Sequence, residues 1–410
     1  MVTVVGTGVG PEDLTEQHRE AIQAAEVLVG GKRQLALFAG QTQTSWVLGA
    51  NPTATLEAVK QESTGKRVVI LASGDPLFFG IGQRALEVFG LENVRFLPNV
   101  TALQKSFARL KLPWNRARTI SVHGREVTDL FSELVYPGII AVYTDHQSTP
   151  DFLAKLFLEF GMPNRKVAVA EQIGSEEERL REMDLIGAAE KRFAPLNVMI
   201  LYPLGGQESA SRFGLEDECF VKEKSLITKQ EARAVILAEL RLKPEGVMWD
   251  VGAGSGSVGI EAVRVAPGLR VYAIEREQAR LEMIQENVQR LRGFGVKAVF
   301  GEAPEVLEGL PDPDRVFIGG SGGRLVEILN LVGERLREEG RVVVSVVTPE
   351  TFGRAQKYIE KTNLAHQWIL LQVSRTVDIQ SGKELSGGGL LSRFEPQTPL
   401  FVLSLWRQSS

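Results

Sequence analysis

The residues with the clearest chemical potential are alternating glycines and a carboxylate in the middle of the chain. Gly252, Gly254 and Gly256 alternate in the stretch Val251-Gly252-Ala253-Gly254-Ser255-Gly256-Ser257-Val258-Gly259. An apolar run from Val247 to Val251 predicts a buried strand before the loop, and Val258 to Val265 predicts a helix after it. Glycines let backbone approach a ligand closely, and the N–H groups at a helix start favour an anion. A second predicted strand, Arg270 to Glu275, ends in an acid about 20 residues beyond the loop, a spacing that suits a ribose diol. The pattern Gly254-x-Gly256-x-x-Gly259 also fits a nicotinamide fingerprint, so the glycines alone do not choose the nucleotide.

The neighbouring residues narrow the choice. Asp250 stands just ahead of the first glycine, and an amphipathic helix, Lys229 to Leu240, precedes the strand. A third strand, Val296 to Phe300, runs into Gly301-Glu302-Ala303-Pro304. Together these features resemble Rossmann-like class I methyltransferases, which use S-adenosylmethionine. The resemblance implies cofactor contacts from Asp250, Gly252, Ala253, Gly254, Ser255, Gly256, Glu275 and Ala303. A fourth strand, Arg315 to Ile318, ends in Gly319-Gly320-Ser321-Gly322-Gly323, whose bare N–H groups could form an anion nest for a substrate carboxylate. Gly320, Ser321 and Gly322 are therefore candidate substrate contacts.

The elements that must position this site lie in a long α/β chain. At 410 residues it has room for two or three domains. Lys and Arg total 47 against 51 Asp and Glu, a formal charge of -4 that argues against a nucleic-acid partner. The single Cys219 excludes an intrachain disulfide, and four scattered histidines argue against a protein-built metal site. No apolar span long enough for a membrane and no signal-peptide pattern occur, so the expected location is the cytoplasm.

From the start, Val2 to Val5 predicts a strand running into Gly6-Thr7-Gly8, and Thr15 a cap for a helix reaching Ala25. A strand from Glu26 to Val29 stops at Gly30-Gly31. Val68 to Ala72 predicts a buried strand delivering Ser73-Gly74-Asp75-Pro76, with Asp75 capping a helix whose first turn holds Pro76. These residues, with Gly30-Gly31-Lys32-Arg33, Asn99-Val100-Thr101-Ala102-Leu103-Gln104, Leu112-Pro113-Trp114, Ser121-Val122-His123-Gly124-Arg125 and Glu171 to Glu177, resemble the tetrapyrrole (corrin/porphyrin) methyltransferases over roughly residues 1 to 203. The nearest likeness is to those methylating C5 of a corrin precursor. The loop Val9-Gly10-Pro11-Glu12-Asp13 is compressed relative to the family's common form.

That resemblance implies two α/β subdomains, divided near Trp114 to Arg118, with S-adenosylmethionine between them. Its contacts would come from Gly8, Ser73, Gly74, Asp75, Thr101 and Ala102. His123 and Arg125 are open to two readings, an exposed strand end or contact with a substrate carboxylate. The polar stretch after Tyr202 predicts a linker, giving domains 1–205 and 223–410 joined by 206–222. Thr228-Lys229-Gln230-Glu231 fits a capping box. The run from Ile227 to Gly259 resembles the C15-methylating, decarboxylating enzymes of corrin synthesis, where the matching threonine, Thr228, approaches the cofactor. Strands from Ile369 to Val373 and Leu400 to Leu405 are expected to close the second domain antiparallel, around a Gly-rich excursion from Ser386 to Leu391.

Taken together, the resemblance implies two S-adenosylmethionine sites per chain and a precorrin substrate from cobalamin biosynthesis. It implies methylation at C5 and C15, loss of the C12 acetate carboxyl as carbon dioxide, and self-association. Neither half shows a Ser/His/Asp or Cys/His constellation, and no general acid or base is assigned. Three alternatives stand beside this reading: the cobalt form of the same precorrin as substrate, methylation of RNA or protein, and a carrier that binds tetrapyrroles without turnover.

Overall fold

The computed structural model describes residues 1–40, 43–123, 127–204, 213–223, 227–378 and 392–407. The chain divides into two compact units, one of residues 1–125, 138–153 and 165–204, the other of 126–137, 154–164 and 205–410.

The first half contains β1 (Val2–Gly6), α1 (Glu16–Gln23), β2 (Val27–Gly30), α2 (Lys32–Phe38), β3 (Thr44–Val47), α3 (Pro52–Glu62), β4 (Val68–Ala72), α4 (Gly82–Phe89), β5 (Val94–Leu97) and α5 (Ala102–Leu110). Its strands form a parallel sheet in the order β3-β2-β4-β1-β5. β4 is buried throughout, which is why its sequence is a continuous apolar run rather than an alternating one. Next come β6 (Arg118–Ser121), α6 (Phe131–Leu134), β7 (Ile140–Tyr143), α7 (Pro150–Glu159), β8 (Lys166–Glu171), β9 (Arg179–Asp184), α8 (Leu185–Ala189) and β10 (Asn197–Leu201). A mixed sheet, β6-β7-β10-β8-β9, collects these strands. The change of sheet falls between α5 and β6, across Trp114 to Arg118.

The second half contains α9 (Gln230–Leu240), β11 (Glu245–Val251), α10 (Ser257–Val265), β12 (Gly268–Glu275), α11 (Gln278–Arg290), β13 (Val296–Phe300), β14 (Arg315–Ile318), α12 (Leu325–Arg335), β15 (Arg341–Val346), α13 (Pro349–Ile359), β16 (Ala365–Leu371), β17 (Ser374–Asp378), β18 (Ser392–Pro396) and β19 (Leu400–Trp406). The sheet order is β13-β12-β11-β14-β15-β19-β16, with the first five strands parallel and β19 antiparallel to both neighbours. The expected closing strands are therefore present. β17 and β18 pair only with each other and were not anticipated, while the excursion from Ser386 to Leu391 lies outside the described residues.

Three local expectations are corrected. Residues 76–81 form turns, and the helix starts at Gly82. Phe79 adopts a left-handed φ of 53°, and the Gly82 N–H closes onto the Pro76 carbonyl at 2.9 Å, so the chain loops before it can wind. The cap of α9 is Lys229 rather than Thr228, and Glu231 is drawn away to Arg375 at 2.7 Å.

The third concerns the expected linker. Its residues 213–222 are packed into the second unit, with Leu215 and Phe220 buried in its core. The cause is an ionic network under α9. Arg233, fully buried, donates Nη1 to Asp217 at 2.8 Å and Nε to Glu261 at 2.9 Å. It also donates to the Leu215 and Thr228 carbonyls, while Glu261 accepts the N–H groups of Gly214 and Leu215, each at 3.1 Å. A buried cation needs such partners, since removing a charge from water without them is prohibitive.

Candidate active site

The C-terminal ends of β11, β12, β13 and β14 enclose a pocket lined by Gly252, Gly254, Glu275, Ala303 and the Gly320-Ser321-Gly322 loop. In an open parallel sheet this edge is where ligands bind. Gly252 is required by a close approach: its φ is +69°, and a Cβ there would lie 2.4 Å from the Gly320 carbonyl oxygen. Gly254 is the opposite case. Its φ is +58°, yet a Cβ would meet nothing within 4 Å, because it faces the open pocket.

The Glu275 carboxylate sits under that loop, 4% exposed. Its Oε2 accepts the Gly254 N–H at 3.0 Å, and Oε1 accepts those of Arg276 at 2.9 Å and Glu277 at 3.2 Å. These bonds fix the carboxylate's orientation and leave Oε2, which accepts only the Gly254 N–H, with capacity for a further donor. Thr228, Asp250, Ala253, Ser255 and Gly256 do not line the pocket. Instead, Asp250 is buried beneath it, its Oδ2 accepting the Gly259 N–H at 3.0 Å and its Oδ1 unpartnered. Burial, reinforced by the nearby Glu275 charge, pushes the Asp250 carboxyl up to about 7.

That shift has a measurable consequence. A carboxyl raised from 3.8 to about 7 holds its proton in the folded state where the unfolded chain has lost it. Its stabilising contribution is present below the unfolded value and is lost as pH rises through about 7. Asp250→Asn, neutral at every pH, is expected to remove that loss. Urea unfolding at pH 5 and pH 8 should show the variant gaining on the parent by a few kcal/mol, in order of magnitude, at the higher pH. An equal difference at both values would refute the assignment.

Sequence reasoning missed Arg276 and Glu302. Both line the pocket and pair with each other at 3.1 Å. Only their position, directly after a strand-end acid and a strand-end glycine, could have signalled them.

A second convergence lies in the first unit, at the C-terminal ends of β1, β4 and β5. Gly8 and Gly74 form an antiparallel bridge, with the Gly74 N–H 2.9 Å from the Gly8 oxygen. Thr101 caps α5 through a reciprocal pair with Gln104, and its Cα lies 3.4 Å from where a Gly74 Cβ would be. Ala102 begins that helix. Ser73 is exposed and accepts from Gln34 at 3.3 Å. Asp75 accepts the Leu77 N–H at 2.8 Å, an Asx turn rather than a helix cap.

The two aromatic residues after this turn pack with Tyr143: the rings of Phe78 and Phe79 lie 6.1 and 5.9 Å from its own. The Tyr143 hydroxyl accepts the Leu103 N–H at 3.1 Å, and burial raises its pKa. Tyr143, on the second sheet, was not foreseen as part of this group. His123 is exposed two residues beyond Ser121, which stands opposite Tyr143 in the register. Arg125 lies outside the described residues. Among the described residues no helix is long and apolar enough to cross a membrane.

Comparison with known proteins accounts for both halves. The family model for tetrapyrrole (corrin/porphyrin) methylases matches residues 1–187, and that for a precorrin methyltransferase domain matches residues 218–380. A Sinorhizobium protein named precorrin-6Y C(5,15)-methyltransferase [decarboxylating] is 33% identical over 358 residues, 85% of this chain and 85% of its own. A Mycobacterium tuberculosis (strain ATCC 25618 / H37Rv) protein of the same name is 34% identical over 367 residues, 86% of this chain and 88% of its own. A shorter Salmonella typhimurium relative, named cobalt-precorrin-7 C(5)-methyltransferase, is 37% identical over 181 residues, 44% of this chain and 89% of its own. The chain belongs to the precorrin-6Y C5,15-methyltransferases (decarboxylating).

Proposed function

We propose that each half holds one methyl-transfer site and that S-adenosylmethionine serves both. In this reading the domain of residues 1–205 methylates C5 of a precorrin. The second domain, which includes residues 213–410, methylates C15 and removes the C12 acetate carboxyl as carbon dioxide, giving precorrin-8X. The observation that carries it is the pocket beside Gly254. An open backbone loop, a carboxylate held beneath it by three N–H groups and a glycine loop opposite suit a ribose-bearing donor facing an anionic substrate.

When bound, S-adenosylmethionine supplies an electrophilic methyl on a positively charged sulfur. The protein's task is then alignment, because an electron-rich macrocycle carbon needs no side-chain nucleophile. Glu275 would accept from a ribose hydroxyl, and the backbone at Gly252 and Gly254 would face the donor's tail. Gly320, Ser321 and Gly322 offer N–H groups to a substrate carboxylate. In the first domain, Gly8, Ser73 to Asp75, Thr101 and Ala102 do the corresponding work, with His123 and Arg125 on the substrate side.

The test is incubation with the C5,C15-unmethylated precorrin, metal-free or carrying cobalt, followed by mass spectrometry. Gain of two methyl groups and loss of one carbon dioxide is expected; methyl incorporation into bulk RNA instead would sink the reading. Asp75→Ala is expected to lower C5 methylation about tenfold, the cost of releasing one turn-closing hydrogen bond. C15 methylation and decarboxylation should persist. Equal loss of both in folded protein would count against independent sites.

A further inference from the structure

Among the described residues, β17 and β18 pair only with each other, as a hairpin that joins no larger sheet and does not line the pocket described above. A lone two-stranded hairpin is marginal in water, so its position needs an external anchor. Its place follows from the register. Val346 at the end of β15 stands opposite Phe401, and Leu371 at the end of β16 opposite Leu400. The chain therefore leaves β16 and re-enters β19 at the C-terminal edge of the parallel strands, the edge that carries Gly254, Glu275 and Gly320.

The anchor is Arg375. Its Nε donates to Glu231 at 2.7 Å and its Nη2 to the Gln230 side-chain oxygen at 3.2 Å, both on the first turn of α9. Gln230 in turn donates to the Gly214 carbonyl at 2.8 Å. α9 is itself fixed by the buried Arg233 network, so the hairpin is clasped to a rigid part of the fold. Arg375 stands opposite Glu395 and Thr376 opposite Phe394. Opposed residues share a face and successive ones alternate, so Phe394 points away from the clasped side. Phe394 is 76% exposed, on a hairpin that leaves the sheet from the edge carrying the pocket.

We propose that the hairpin is the substrate-side wall of the second methyl-transfer site, positioned by the Arg375 clasp on Glu231 and Gln230. Phe394 offers its ring to the face of the tetrapyrrole macrocycle. A large conjugated ring with charged edges fits this wall, because aromatic stacking suits the ring and the glycine loop suits its carboxylates. The inference rests on the functional reading above and adds to it which element holds the substrate. Arg375 and Glu231 are positioning residues: they touch each other rather than the reacting atoms.

The experiment uses the full chain at saturating S-adenosylmethionine and measures C15 methylation against corrinoid concentration. Phe394→Ser is expected to raise KM for the corrinoid about tenfold, and Arg375→Ala or Glu231→Gln about fivefold, the loss of roughly a kcal/mol of positioning. In each, kcat, the affinity for S-adenosylmethionine by titration and the C5 rate should hold within about twofold. The exchange Arg375→Glu with Glu231→Arg should restore KM, which a generally loosened fold would not do. Phe394→Ser decides the matter if loss of Arg375 lowers the yield of folded protein, since an exposed ring carries little stability. An unchanged KM in Phe394→Ser, with the parent active, overturns the proposal. Wild-type protein that makes no C15 product overturns both this proposal and the functional reading beneath it.

Discussion

Replacing Arg233 by alanine is expected to lower the unfolding free energy of the second unit by about 3–5 kcal/mol. The side chain has no exposed surface, and its two carboxylate partners, Asp217 and Glu261, are at most 3% exposed. Truncation leaves Glu261 without its cation and Asp217 with only the longer pair to Lys229 at 3.5 Å, in a medium that solvates ions poorly, so the loss exceeds that of a surface pair. The N–H groups of Gly214 and Leu215 remain on Glu261 but cannot neutralise Asp217 as well. Urea unfolding followed by the fluorescence of Trp249, buried in the same unit, would report the change. A loss below about 1 kcal/mol, the range of exposed pairs, would show the network to be dispensable.

Gly254→Val should be the harshest change at the second site. The left-handed φ of +58° costs a β-branched residue about 1–3 kcal/mol, and the added methyls project into the open pocket. S-adenosylmethionine binding there is expected to weaken more than a hundredfold, with C15 methylation and decarboxylation lost together. Glu275→Ala should cost about five- to hundredfold in the same affinity, because it removes acceptors from the ligand and from the Gly254 N–H. Glu275→Gln should fall between, since it keeps one acceptor oxygen. C5 methylation of a supplied C15-methylated intermediate should continue in all three. Unchanged affinity in Glu275→Ala, by titration, would reduce this carboxylate to a strand cap.

The second-half architecture was largely legible in the sequence because a parallel sheet leaves a strong signature. β13 and β14 match the expected bounds, and β11 and β12 differ only at their starts. Buried strands read as apolar runs, and glycines mark where their loops cross the sheet edge. In the sequence the Asp75 turn reads as a helix start, because Pro76 suits a first helical turn. What defeated the helix was Phe79 in a left-handed conformation, a property no residue type announces. Capping by Thr228 failed for a tertiary reason, since Glu231 is claimed by Arg375, 144 residues away. Arg276, Glu302 and Tyr143 escaped notice because their roles depend on pairs distant in sequence.

The packing of Leu215, Asp217 and Phe220 into the second unit also bears on where the chain can be divided. Asp217 completes the charge balance around Arg233, so a free-standing second half must begin ahead of Gly214 to fold with its own neutralising partner. A break at residue 223 would leave Arg233 and Glu261 in one polypeptide and Asp217 in the other. A cut between β10 and Gly214 is expected to keep all three charges in one polypeptide, although the residues from Gly214 onward look like a linker in composition.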